Sequence, residues 1–444
     1  MKQHNPYILE GSLAKGVISL STPIIFAMFF QSLLNIVDTF WLGQVSFIAV
    51  AAVSISWPII FIVIALASGA SIGVTALVAR YYGAKDLKTA NIVAQNSVIA
   101  GLLLSAGITI SGLAVSAWLF RFIGATGEVF DLALQYTNIF FISSVCMFMS
   151  FIFSSILRGE GDTTTPMKIG IAINIVNMVL DPLFILGFGW SVAGAALATA
   201  LANGVSLLLY VVYLKSHPWL TVIKYQGFNF NFGYIKEIFY IGFPASLRNI
   251  SNAVGVFFTV KIIATYGAAV VAAYGIGFRV QSFGVLPVVA IATGTITMVG
   301  QNLGAQKLQR AKLSGWVSTG IGLIIMSVFA GLIFIFSRSV IGIFNQEPEV
   351  LVVGGEMMKI QAPGFIFGSA IMTLSAAFQA FGKSMYSFIS TVLRVILLVI
   401  LAYWWNSLWG YVGVWWAVTF SGLISAVGLA IWYWWWQPTM AGKS

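Results

Sequence analysis

The chain has 444 residues, of which 59% are apolar and only 8% charged, with a formal charge of +10. That charged share is about a third of the usual one for soluble domains, and together with a mean hydropathy of +0.97 it excludes a cytosolic enzyme, a disordered chain and a DNA-binding domain. Lipid is the solvent, and because no Lys/Arg run reaches nucleic-acid-motif density, the basic excess is expected to follow membrane topology rather than a nucleic-acid partner.

Apolar stretches of the ~20 residues needed to cross a bilayer recur along the whole chain. Twelve are predicted, at about 17–42, 48–79, 90–120, 129–157, 166–188, 191–214, 237–265, 270–300, 313–337, 350–381, 385–405 and 410–436. The first runs on past Lys15 with no small-residue cleavage site, so it reads as a retained helix rather than a signal peptide. Single Cys146 has no partner for an internal disulfide and reads as a small apolar residue.

Basic residues separate between alternate connections. Fifteen of the 22 Lys and Arg fall on the side that holds the N-terminus, among them Arg80, Lys85, Lys88, Arg158, Lys307 and Lys383. The opposite side has Arg121, Arg338 and Lys359, and Arg248, Lys261, Arg279 and Arg394 fall inside segments. By the positive-inside rule the protein is a multi-pass protein of the cell (inner) membrane with both termini cytoplasmic. Trp432, Trp434, Trp435 and Trp436 then form an aromatic belt at the cytoplasmic interface.

The two halves resemble each other at one offset of 221 residues, which aligns Pro23 with Pro244, GAKDLKTA (83–90) with GAQKLQRA (304–311), and Gly161 with Gly382. The expected fold is therefore an all-α membrane protein of twelve transmembrane helices in two pseudo-symmetric six-helix bundles. Residues 1–214 form the N-terminal lobe, 215–236 a cytoplasmic linker and 237–444 the C-terminal lobe. Because six is even, the repeats are parallel, and two such bundles can rock about a site between them, as transporters do.

Ten of the twelve acids belong to loops or helix ends; Asp38 and Asp181 lie within segments. An ionisable group at that depth costs at least ~2.5 kcal/mol and marks function. At 1.5 Å per residue, Asp38, Asp181, Tyr136 and Thr199 sit roughly 8–12 Å below the outer helix ends, in one layer. Asn174, Asn177 and Asp181 share a helix face, as do Gln31, Asn35 and Asp38. Two carboxylates brought together in low dielectric take up one proton or one small cation, so the set Asp38, Asp181, Asn177 and Thr199 reads as a coupling site for H⁺ or as a Na⁺ shell. The structural alternative has Asp181 capping a helix break at Pro182 and Asp38 bonding a neighbouring hydroxyl. Pro23, in the same segment as Asp38, permits a bend. The repeat counterparts of the acids are Thr259 and Ala402, so coupling is expected in one half alone. Snorkelling, or bonding to helix carbonyls, is the plainer role of Arg248, Lys261, Arg279 and Arg394, and recognition of an anionic group the sharper one.

The segments PIIFAMFFQSLLNIVDTFWLG (23–43), ALVARYYGAKD (76–86), LRGEGDTTTPM (157–167), NIVNMVLDPLFILG (174–187), GFPASL (242–247) and VGQNLGAQKLQRA (299–311) resemble the multidrug and toxic compound extrusion (MATE) family. The resemblance implies two six-helix lobes in a V and cation-coupled export of organic compounds. It puts the family's coupling residues on Asp38, Asn177, Asp181 and Thr199, its tyrosine on Tyr136 and its bending proline on Pro23. With no acid deep within the C-terminal segments, the chain resembles the DinF-like prokaryotic branch, in which coupling is assigned to the N-terminal lobe.

The function expected is a proton- or Na⁺-driven antiporter that exports amphipathic organic compounds from a cavity lined by Phe, Met and Tyr. It is expected to work as a monomer, with no cofactor beyond the coupling ion. A lipid or lipid-linked oligosaccharide flippase is the alternative. Enzymatic chemistry is not expected: His4 and His217 fall in aqueous segments, and no nucleophile–base set is apparent.

Overall fold

A computed structural model describes residues 6–220 and 228–437. The described chain is helical and contains no strand. Thirteen α-helices follow one another: α1 (Leu13–Val45), α2 (Phe47–Gly83), α3 (Leu87–Ile123), α4 (Gly127–Glu160), α5 (Thr164–Pro182), α6 (Ser191–Lys215), α7 (Phe232–Ile263), α8 (Ala268–Gly284), α9 (Leu286–Gly304), α10 (Leu308–Gly342), α11 (Pro348–Ala380), α12 (Ser384–Trp409) and α13 (Tyr411–Trp435). Among the described residues, twelve helical spans are long and apolar enough to cross a membrane. The eighth predicted segment is divided into α8 and α9 at Val285, beside Pro287, whose missing N–H removes a bond from the ladder. α7 starts earlier than predicted because Asn231 Oδ1 accepts the N–H of Gly233 at 2.9 Å and caps it.

The chain forms two compact units, and the division crosses α1 between Ser21 and Thr22 and α7 between Phe243 and Pro244. In the unit Thr22–Phe243, α4 packs against α2, α3 and α6, and α5 against α6. Its α2 and α7 cross closely: a Cβ at Gly73 would collide with the Ile238 carbonyl, and one at Gly242 would lie 2.6 Å from the Gly69 oxygen. Asn96 of α3 ties down the residues leading into α7, donating to the Asn229 carbonyl at 2.8 Å and accepting the Asn231 N–H at 2.8 Å.

In the unit of the chain up to Ser21 and from Pro244, α11 packs against α9, α10 and α13, and α12 against α13. Val17 and Leu20 of α1 bury against Ile291 and Met298 of α9. The tryptophan cluster is only partly a belt. Trp434 and Trp435 are exposed, but Trp432 and Trp436 pack on Phe378, and Lys312 donates 2.8 Å bonds to the Trp434 and Trp436 carbonyls.

The repeat extends to individual backbone bonds. Lys85 and Gln306 both adopt positive φ (59° and 61°), as do Gly161 and Gly382 (103° and 75°). Asp86 N–H reaches the Tyr81 carbonyl at 3.1 Å as Lys307 N–H reaches Asn302 at 2.9 Å, and Asp162 N–H reaches Leu157 as Lys383 N–H reaches Phe378. Buried hydroxyls such as those of Ser21, Ser56 and Thr295 bond the carbonyl one turn back, which satisfies them without water.

Candidate functional site

α1 and α5 carry the intramembrane acids, and local sequence explains how each is presented. α5 begins where the Asp162 carboxylate accepts the N–H groups of Thr164 and Thr165 at 3.0 and 2.9 Å. From there, helical spacing puts Asn174, Asn177 and Asp181 on one face, and all three are at most 3% exposed. Directly after Asp181–Pro182 the backbone widens into a π turn, Leu183–Gly187, a distortion that recurs at functional sites. Asp181 does not cap this break, since neither of its oxygens meets a donor.

Asp38 of α1 reaches across to Asp181, and their carboxyl groups lie within hydrogen-bonding range of each other. Asp38 Oδ1, Asp181 Oδ1 and Oδ2 and Asn177 Oδ1 are all buried without a protein donor. Asn177 turns its amide N–H toward Thr199 Oγ1 of α6, a long contact of 3.5 Å, which leaves its oxygen for the acids. Tyr136 of α4 lies within electrostatic reach of both carboxylates and bonds to neither. It also packs against an apolar cluster of Leu42, Ile185 and Ala195. Buried acceptors without donors repel one another, and one proton or one small cation among them relieves that repulsion. A metal held by three or more His, Cys, Asp or Glu side chains has no candidate cluster among the described residues. Na⁺ would rest on two carboxylates and the Asn177 amide oxygen.

Gln31 and Asn174 line a neighbouring cavity of about 310 Å³, together with Asn203, Ser206, Tyr210 and Arg158. Asn35, predicted on the same face as Gln31, is exposed. Pro23 sits within an unbroken α1, two residues from the division between units.

Two polar residues are placed differently from the sequence reading. Arg158, counted among the loop bases, is inside α4 and donates to Ser71 Oγ at 2.9 Å and Ser155 Oγ at 3.1 Å, the two hydroxyls also touching each other. His217 leaves α6 for a connection that nonetheless buries it: it is 8% exposed, with Nε2 3.2 Å from Glu160 Oε2. Glu160, at the end of α4, also accepts a 3.0 Å bond from Trp219 Nε1. The polar run RGEGD reads as solvated loop because its Gly161 turn is plain in the sequence, whereas the roof that His217 and Trp219 put over it is not.

Residues 23–183 and 244–404 each match the family described as MatE, so the matched stretches start 221 residues apart and together cover most of the chain. The chain belongs to the MATE family. The multidrug export protein MepA of Staphylococcus saprophyticus is 24% identical over 429 residues, covering 96% of this chain and 95% of the relative. Among solved structures, an outward-facing MATE transporter of the MOP superfamily superposes over 100% of both chains with a TM-score of 0.93 and 27% identity. A MATE protein in a bent conformation covers 96% of both chains with a TM-score of 0.91 and 28% identity. As a MATE-family chain, this protein is a multi-pass membrane transporter, and Asp38, Asn177 and Asp181 fall in the first matched stretch.

Proposed function

We propose that this MATE protein is a cation-driven antiporter that exports amphipathic organic compounds. The observation that carries the reading is the donor-free set of buried oxygens from Asp38, Asp181 and Asn177. Such a set changes its affinity for one proton or Na⁺ steeply with small movements of α1 against α5. A conformational equilibrium that alters this distance is therefore biased by the cation, and exchange follows when the exported compound favours the opposite state. Thr199 orients the Asn177 amide, and Tyr136 closes the apolar side. Pro23 supplies a bend point in α1, because it leaves a helix carbonyl without its usual donor.

The lobes that move are taken as residues 1–214 and 237–444, joined by 215–236, of which 221–227 lie outside the described residues; the compact units differ from these lobes in dividing within α1 and α7. Both termini are assigned to the cytoplasm on the excess of Lys and Arg in the segments on that side. Export as the direction, and drugs as substrates, are supported by the name of the staphylococcal relative.

The test is dye efflux from proteoliposomes under separately imposed proton and sodium gradients. Asp38→Asn should abolish gradient-driven efflux while the purified protein stays monodisperse. Efflux by that variant at the unaltered rate under both gradients would remove the reading, and the gradient that drives the unaltered protein names the ion.

A further inference from the structure

Arg248 and Arg394 lie far from either end of their helices. Arg248 is about 24 Å along α7 from its first residue, and Arg394 about 15 Å along α12, at 1.5 Å per residue. At such depth a guanidinium is costly unless something there compensates it. Arg394 donates to Asn252 Oδ1 at 2.6 Å, and Asn252 is one turn beyond Arg248 on α7. Arg248 reaches Asn249 Oδ1 at 3.3 Å, while its buried Nε has no acceptor. The two positive charges act on each other. Among the described residues no carboxylate pairs with either. Of the four acids in the same unit, Glu10 lies near Arg310, Glu347 immediately precedes α11, and Glu349 and Glu356 lie near Tyr411.

The repeat makes the placement informative. With the offset of 221 residues, Arg248, Asn252 and Arg394 correspond to Ala27, Gln31 and Ile173. All three of those residues line the 310 Å³ cavity in the other unit. The arginines therefore occupy, on α7 and α12, the positions that face a cavity on α1 and α5. The same pair of helices carries Asp38 and Asp181 in one repeat and Arg248, Lys261 and Arg394 in the other, so these charges are of opposite sign in the two halves.

We propose that Arg248, Asn252 and Arg394 form a site for an oxyanion, the carboxylate or phosphate of an amphipathic molecule. Two guanidinium forks suit the planar or tetrahedral oxygens of such a group better than two ammonium groups would, and Asn252 fixes the fork of Arg394 toward Arg248. This names a substrate class for the transporter and rests on the transport reading for movement of that substrate, though not for its binding.

Binding is therefore measured first. The purified protein in phosphatidylcholine nanodiscs is titrated with pyrenebutyrate and with its uncharged methyl ester, read by pyrene fluorescence. Pyrenebutyrate should bind at least tenfold more tightly than the ester. Arg248→Gln and Arg394→Gln should each weaken the acid about tenfold and leave the ester unchanged, with Lys at either position recovering part of the loss. In the unaltered protein, pyrenebutyrate but not the ester should protect Arg394 from phenylglyoxal, which keeps the test alive if a variant does not fold. Equal binding of acid and ester, or full acid binding by the double Gln variant, would overturn the site. Discs containing phosphatidylglycerol locate the anion's source: competition with pyrenebutyrate points to a lipid phosphate, and no competition to a dissolved carboxylate, both consistent with the site. If binding behaves as expected while Asp38→Asn still drives efflux, the coupling reading fails and the anion site stands.

Discussion

Replacing Asp181 by Asn should make the protein more stable and stop it from coupling transport to an ion gradient. Four buried acceptor atoms meet at this point without a protein donor, two of them on Asp181 itself. The amide removes one acceptor and adds two N–H donors beside Asp38 and Asn177. A hydrogen bond to a charged group contributes about 1.5–3 kcal/mol and a neutral one about 0.5–1.5 kcal/mol. If the carboxylate pair is ionised in the unaltered protein, the variant gains both contacts, about 2–4.5 kcal/mol. If the pair already shares a proton, only the contact to Asn177 is new, about 0.5–1.5 kcal/mol. The assay is denaturant unfolding of both proteins in nanodiscs at neutral pH, followed by dye efflux from proteoliposomes. A variant less stable than the unaltered protein by more than about 1 kcal/mol would mean that Asp181 was accepting strong hydrogen bonds, and the donor-free site would be refuted.

Other positions test other parts of the structure. Gly73→Ala should cost about 1–3 kcal/mol, because its Cβ meets the Ile238 backbone, whereas Gly107→Ala, with open space around it, should gain up to about 1 kcal/mol from helix propensity; thermal unfolding compares them. Asn96→Ala removes the side chain that holds both Asn229 and Asn231, and should cost about 1–3 kcal/mol and speed amide exchange at Asn231. Asp86 caps α3, and its carboxyl is held below the usual range by hydrogen bonds from the Thr89 side chain and N–H. Its stabilisation, about 0.5–2 kcal/mol for a helix cap, should be complete above the unfolded carboxyl value of about 3.9 and vanish as pH falls through the lower folded value. The stability difference between the unaltered protein and Asp86→Ala should thus close only below about pH 4. Pro23→Ala should leave stability unchanged or raised, because the helix regains a bond, and should slow efflux if α1 bends there.

The sequence made some features legible because they depend on periodicity alone. A 221-residue offset survives as matching turns, so the GAKD and GAQK loops could be paired before any coordinates, and they share a positive-φ residue at the same position. The face formed by Asn174, Asn177 and Asp181 follows from 3.6 residues per turn, and all three are buried together. What depends on which helices abut was not legible. Arg158 sits beside a Gly-Glu-Gly-Asp turn and reads as a loop base, yet Ser71, 87 residues away, draws it into the bundle. His217 follows the last turn of α6 and reads as solvated until the Glu160 carboxylate closes over it.

The same distinction separates the two charged helix pairs. Asp38 and Asp181 announce themselves because acids within apolar segments are rare and the polar spacing around them is helical. Arg248 and Arg394 also lie within the apolar segments, but a lone Arg there has the ready explanation of reaching the interface. What removes that explanation is the 2.6 Å bond from Arg394 to Asn252, which turns the side chain toward α7. Asn252 is the repeat counterpart of Gln31, which lines the cavity beside the acids. At the positions of Ala27 and Ile173 the second repeat carries Arg248 and Arg394, while Thr259 and Ala402 stand where the first has Asp38 and Asp181, so these charges on the corresponding helix pairs are of opposite sign.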